Sequence, residues 1–328
     1  MVAVPVAEMH VHLEGTLRPA VVARLAARNG RAAALPQMDW VRPRHRWAEP
    51  REWLRTMRRV GDACLRTPDD YAEAMADYAQ RLAEQGGVYA EISVALSRAG
   101  RGGRDDMAIL GAVCEAAAEA PLPVRVLVAL DQGTPAEEAE AQLRRAVARR
   151  SEMLVGIDLH GAPVQPLAAF ARLFALAGAE GLGRRAHAGE VEGPRSVAEA
   201  IALGVERIAH GVRAVEDEVV LQRVADAGLV LDVCPGSNLA LGLYAEVADH
   251  PLPRLLAAGI PVTLGSDDPL YFNTSARGEY ECAAEMGLSG DDLLAVTLTA
   301  VAASFAAPAL RCSLVARLKQ AQEAGFEG

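Results

Sequence analysis

Lysine is all but missing from this 328-residue chain: Lys319 is the single lysine, and arginine supplies the rest of its 33 basic side chains. No lysine therefore stands in the body of the chain to be carboxylated and bridge two metal ions, although a Glu- or Cys-bridged pair stays open. Cysteine is sparse and scattered. Cys64, Cys114, Cys234, Cys282 and Cys312 form no CxxC pair, and an odd, dispersed set reads as reduced, partly buried thiols. No stretch reaches the roughly 18 uninterrupted apolar residues of a membrane span. The N-terminal MVAVPVAEMHVHLEG lacks the basic segment and long apolar core of an export signal, so the expected compartment is the cytoplasm, with no membrane partner. Positive charge in excess is also absent. A net charge of −10 does not suit phosphate backbones, and no nucleic acid is expected as a partner.

What is present is the balance of a soluble globular protein, 51% hydrophobic and 23% charged, long enough to bury a substantial core. Short apolar runs alternate with longer amphipathic stretches rich in Ala, Leu and Arg. The runs 7–13, 88–94, 124–130, 153–159, 184–188, 207–210, 230–234 and 261–264 read as strands; 135–150, 166–177, 196–203 and 216–227 read as helices between them. Eight strands with intervening helices predict a closed parallel (β/α)8 barrel in the α/β class, with an open doubly wound sheet as the alternative. Residues 35–66 interrupt the alternation. They hold all three tryptophans with many arginines and several prolines, the composition of a lid inserted after the first strand. The tail from residue 288 reads as extra helices outside the barrel. No internal repeat or low-complexity linker divides the chain, so 1–328 is expected to be a single domain.

In a barrel of this kind functional side chains gather at the C-terminal strand ends. His10 and His12 lie in the first run, two residues apart and so on one face of a strand. HAGE (His187–Glu190) ends the fifth, His210-Gly211 the sixth, and Ser266-Asp267-Asp268-Pro269 follows the eighth. Two imidazoles at that spacing, joined by His187 and Asp267, suit one metal ion with a position left for water. A metal lowers the pKa of water toward neutrality. His210, not needed as a ligand, is placed to orient or deprotonate that water, and Asp267 to accept a hydrogen bond from it. Glu190, three residues beyond His187, suits a proton donor if burial raises its pKa.

HVHLEGTL, HAGE, RIAHG, CPGSN and SDDP, in this order from about Glu8 to Phe305, resemble the adenosine deaminase family of the amidohydrolases. The resemblance implies a (β/α)8 barrel carrying one Zn2+ per chain on His10, His12, His187 and Asp267. It implies hydrolytic deamination of a 6-aminopurine, a small-molecule substrate, with Glu190, His210 and Asp267 as the catalytic residues. Gly161 in GIDLHG matches a glycine whose N–H meets purine N3, and Asp268 a residue that meets N7. Ser237 and Asn238 match a loop that supports the catalytic histidine. Two departures bear on substrate. Glu14 replaces the Asp that reads a ribose 5′-hydroxyl in adenosine deaminases proper and is frequent in adenine and aminodeoxyfutalosine deaminase-like members. Ala162-Pro163 stands where relatives carry an acidic residue. His160 is read as either a pocket or a loop residue, and His250 as a turn residue. The alternatives are another amidohydrolase reaction, on an amide, lactam or pteridine, and a silent purine-binding protein. The cytidine-deaminase pattern of HxE with PCxxC is absent.

Overall fold

The computed structural model describes residues 4–162 and 164–323; Pro163, half of the second departure, lies outside them. Eight strands form one sheet in sequential order: β1 (Val6–His12), β2 (Gly87–Ala95), β3 (Val124–Asp131), β4 (Leu154–His160), β5 (Gly183–Ala188), β6 (Arg207–His210), β7 (Val230–Val233) and β8 (Val262–Leu264). Every neighbouring pair is parallel. Just beyond β8, Asp267 N donates to His10 O at 2.8 Å and His12 N donates to Asp267 O at 2.9 Å, which brings the last strand back to the first. The fold is a (β/α)8 barrel, and each expected strand lies within one residue of the observed one at both ends.

Such agreement has a physical cause. Parallel strands covered on both faces are short and nearly continuous in apolar residues, and the helices between them carry their own start signals. Thr67 caps the helix Pro68–Glu84 in a reciprocal pair with Asp70, while Asp105 and Asp217 accept from the first amides of the helices Asp106–Ala118 and Glu218–Asp226. Among the described residues no helix is long and apolar enough to cross a membrane.

The barrel interior departs from the usual layers of Val, Ile and Leu. Arg185 and Arg207 are fully buried there with Glu91, Asp158 and Asp232. Arg185 donates to Asp158 Oδ2 at 2.9 Å, to Ser93 Oγ at 2.7 Å and to Met9 O. Arg207 donates to Glu91 Oε2 at 2.7 Å and to Asp232 Oδ2 at 3.1 Å. Below this layer Phe305, from the C-terminal helical region, plugs the N-terminal mouth. The Arg207 guanidinium lies 4.3 Å from its ring centroid. A Cβ on Gly183, at the start of β5, would come 2.1 Å from that ring, so only glycine admits the plug.

Candidate active site

At the opposite mouth, β1 delivers His10 and His12, β5 His187, β6 His210, and the turn after β8 Asp267 and Asp268. His10 Nε2 and His187 Nε2 are 3.1 Å apart, and His12 Nε2 and His187 Nε2 3.3 Å. Asp267 Oδ1 lies 3.8 Å from His10 Nε2 and 3.5 Å from His12 Nε2. His10 Nδ1 is 3.1 Å from the carbonyl of Asp232, which can only accept, so that nitrogen carries the proton and Nε2 turns a lone pair inward. Burial holds the pKa of His10 and His12 well below the ordinary value, keeping both imidazoles neutral. Lone pairs converging at this separation repel unless a cation lies between them. With metal–nitrogen bonds of roughly 2.0–2.1 Å, tetrahedral ligands sit roughly 3.3 Å apart, so the cluster suits one metal ion.

His187 is aimed from behind: its Nδ1 makes ion-pair contact with Asp158 Oδ1 at 3.2 Å. Asp158 is the functional residue that motif reasoning missed. A signal for it existed, because Asp158 and His160 share a strand face by the two-residue period.

His210 and Asp267 take left-handed backbone conformations, φ 66° and 58°, unusual for residues other than glycine and costing roughly 1–3 kcal/mol each. That geometry turns both side chains over the centre. His210 Nε2 lies 3.6 Å from Glu190 Oε2 and 3.9 Å from Asp267 Oδ2, and is buried without a hydrogen-bond partner. Ser237 Oγ donates to Asp267 Oδ2 at 2.6 Å, so this loop serine supports the aspartate, whereas Asn238 reaches the histidine. Glu190 has its pKa raised to about 7, by burial first and then by the charge of Asp267. Asp268 is pushed well above the carboxylate range, again by burial and then Asp267. A Cβ on Gly15 would come 2.0 Å from Asp268 Oδ1, which accounts for the glycine in HLEG.

His12, His187, Glu190, His210, Asp267 and Asp268 line one cavity of about 870 Å³, within the range of small-molecule sites. Gly161 lines it with φ 93°. A side chain there would meet Asp131 Oδ1 at 2.5 Å. Glu14 lines it too, its Oε1 accepting from Ala95 N at 2.9 Å. His160 is a pocket residue: its ring stacks on His12 at 5.2 Å and its Nε2 has no partner. From the tryptophan-rich segment, Glu49, Trp53, Leu54 and Met57 reach the wall, while Trp40 and Trp47 pack on each other. Cys234 is buried and its thiol is pushed far up by burial, so it is no nucleophile.

A sequence profile described as adenosine deaminase matches residues 5–321. An adenine deaminase of Rhizobium leguminosarum bv. trifolii is 37% identical over 320 residues, covering 95% of this chain and 98% of the relative. An aminodeoxyfutalosine deaminase of Acidothermus cellulolyticus is 38% identical over 301 residues, covering 87% and 84%. The crystal structure of an adenine deaminase from Arthrobacter aurescens superposes with a TM-score of 0.89 at 30% identity, covering 98% of this chain and 99% of that one. The chain belongs to the adenosine deaminase family and is an enzyme of the hydrolytic deaminase class.

Proposed function

We propose that the chain hydrolyses the exocyclic amine of a 6-aminopurine, adenine or an adenine nucleoside, with one zinc ion held by His10, His12, His187 and Asp267. The observation that carries this reading is the gap beside the imidazole cluster. There His210 Nε2, an oxygen of Asp267 and the proton-bearing carboxyl of Glu190 face one point. When bound, the ion supplies the Lewis acidity that makes water nucleophilic at neutral pH. His210 and Asp267 orient the water oxygen toward C6. As the O–C6 bond forms, the electron pair of the C6–N1 double bond moves to N1, which takes the proton of Glu190. The proton that the water loses to Asp267 passes to the amine, the C6–N bond breaks to release ammonia, and the remaining O–H proton returns to Glu190 as the 6-oxo group forms. Gly161 N–H is assigned to N3. Asp268, kept protonated, is assigned to N7, a lone-pair acceptor that needs a donor. Glu14, on the cavity wall, is assigned to the side of the N9 substituent. In the same reading 35–66 is the lid of a single-domain enzyme.

The test is a substrate screen on zinc-loaded protein with adenine, adenosine, deoxyadenosine and N6- or 5′-modified nucleosides. Ammonia release and the ultraviolet change of the purine are followed. Tight purine binding without turnover of any member would overturn the proposal. His12→Ala is expected to lower zinc content from about one per chain toward zero, measured by metal analysis of the purified protein; full retention would remove His12 from the ligand set.

A further inference from the structure

His250 lies at a turn, as its place before Pro251 suggests, but its ring is turned inward and only 3% of the residue is exposed. It starts a chain of hydrogen bonds that ends on His210. Leu252 N donates to His250 Nδ1 at 3.2 Å. A backbone N–H only donates, so this ring nitrogen is the acceptor. Burial lowers the pKa of His250 to about 4, so the ring is neutral and its one proton sits on Nε2. That N–H needs an acceptor, and 3.1 Å away stands the side-chain amide of Asn238. The amide must therefore turn its oxygen to His250 and its nitrogen to His210. The amide nitrogen has two protons and no lone pair to offer, and it lies 3.4 Å from His210 Nδ1. His210 Nδ1 is then the acceptor. The Tyr244 ring, its centroid 5.1 Å from that of His250 in a T-shaped contact, packs over the start of the chain.

We propose that the His250–Asn238 pair sets His210 in the tautomer with its proton on Nε2, making His250 a positioning residue for the reaction. Resting on the deaminase reading above, His210 then donates a hydrogen bond to the oxygen of the attacking water and does not take its proton. The unpartnered, buried Nε2 facing Glu190 and Asp267 is the N–H that this tautomer leaves waiting for an acceptor. The proton lost by the water as the O–C6 bond forms goes to Asp267 Oδ2, a carboxylate oxygen with a lone pair to spare beyond the Ser237 bond.

The tautomer is read directly by long-range 1H–15N correlation of histidine-labelled protein, with and without zinc. The expected pattern is His210 Nδ1 unprotonated and Nε2 protonated in both. A protonated Nδ1 overturns the proposal. His250→Phe keeps the ring volume but removes the donor, freeing the amide to rotate. It is expected to lower kcat about 10- to 100-fold, the usual cost of losing a group that orients a catalytic residue. KM should stay within about threefold, and the single His210 tautomer should be lost. His250→Gln, with an oxygen for Leu252 N and an amide nitrogen for Asn238, should restore most of kcat and the wild-type spectrum. Asn238→Asp offers His210 Nδ1 only lone pairs and should move the proton onto it, with activity lost in a folded protein. Unchanged His210 signals in both His250→Phe and Asn238→Asp would overturn the relay. Because the spectra need no turnover, failure of every aminopurine in the screen with the expected tautomer present would count against the deaminase reading and not against the relay.

Discussion

Glu190 enters the pocket on the turn after β5, three residues beyond His187 of the imidazole cluster. Its carboxyl keeps a proton near neutrality because burial and the neighbouring Asp267 both oppose ionisation. A group that both donates a proton and fits the pocket is hard to replace. Glu190→Gln keeps the volume and the hydrogen-bonding face but cannot release a proton. The expected result is a fall in kcat of about 10²- to 10⁴-fold, with metal content and melting temperature unchanged. Steady-state ammonia release on the best substrate of the screen checks this, and turnover within tenfold of wild type would remove Glu190 as the donor. The place of such residues at the barrel mouth was legible in the sequence because metal and acid–base chemistry calls for particular side chains at strand ends. His250 was not legible in that way. Its ring acts through an amide, and nothing in a histidine before a proline reveals that the ring turns inward.

The strands show where period-two reasoning reaches further than motif reasoning. Once His187 is placed inside the barrel, Arg185 two residues earlier must share that face, and His160 likewise carries Asp158 inward. Their neighbour Arg184 points outward to Glu206. Sequence composition hides this, because arginine and aspartate in a strand read as surface residues. The network matters to the site, since Arg185 holds one oxygen of Asp158 while the other faces His187. Removing one partner of a buried charge set leaves the others uncompensated, at a cost of roughly 3–5 kcal/mol. Arg185→Met should lose stability on that scale in urea unfolding. It should also weaken metal binding about 10- to 100-fold, because Asp158 is no longer held against His187. Loss of stability with zinc affinity unchanged would separate the network from the metal cluster. The helices read at 135–150, 166–177, 196–203 and 216–227 were legible from periodicity. The 35–66 segment was not, because its tryptophans divide between the pocket wall and packing contacts in a way only tertiary structure decides.

At the scale of the whole molecule, a buried acid outside the imidazole cluster ties stability to pH. Glu279, in the helix Ala276–Glu285, accepts from Gly236 N at 2.8 Å and from Thr274 Oγ1. It thereby fastens the helix Pro235–Ala240, which bears Ser237 and Asn238, to the outer shell. Burial raises its pKa from 4.5 to about 8 against the opposing pull of Thr274 and Gly236. Below about pH 4.5 the group is protonated folded and unfolded alike, and its contribution is fully present. Above that the unfolded chain ionises while folded Glu279 keeps its proton, so the free energy of unfolding falls with rising pH until the folded group ionises near 8. One proton corresponds to about 1.4 kcal/mol per pH unit, so between pH 6 and 8 the loss from this group is on the order of 2 kcal/mol. Glu279→Gln holds the shape of the protonated acid and removes the titration. Urea unfolding at a series of pH values should show wild type losing stability over that interval and the variant losing about 2 kcal/mol less. Parallel curves for the two proteins would mean that Glu279 stays ionised in the folded state. The hydrogen bonds from Gly236 and Thr274 would then outweigh its burial, and the brace beneath the His210 relay would be a charged one.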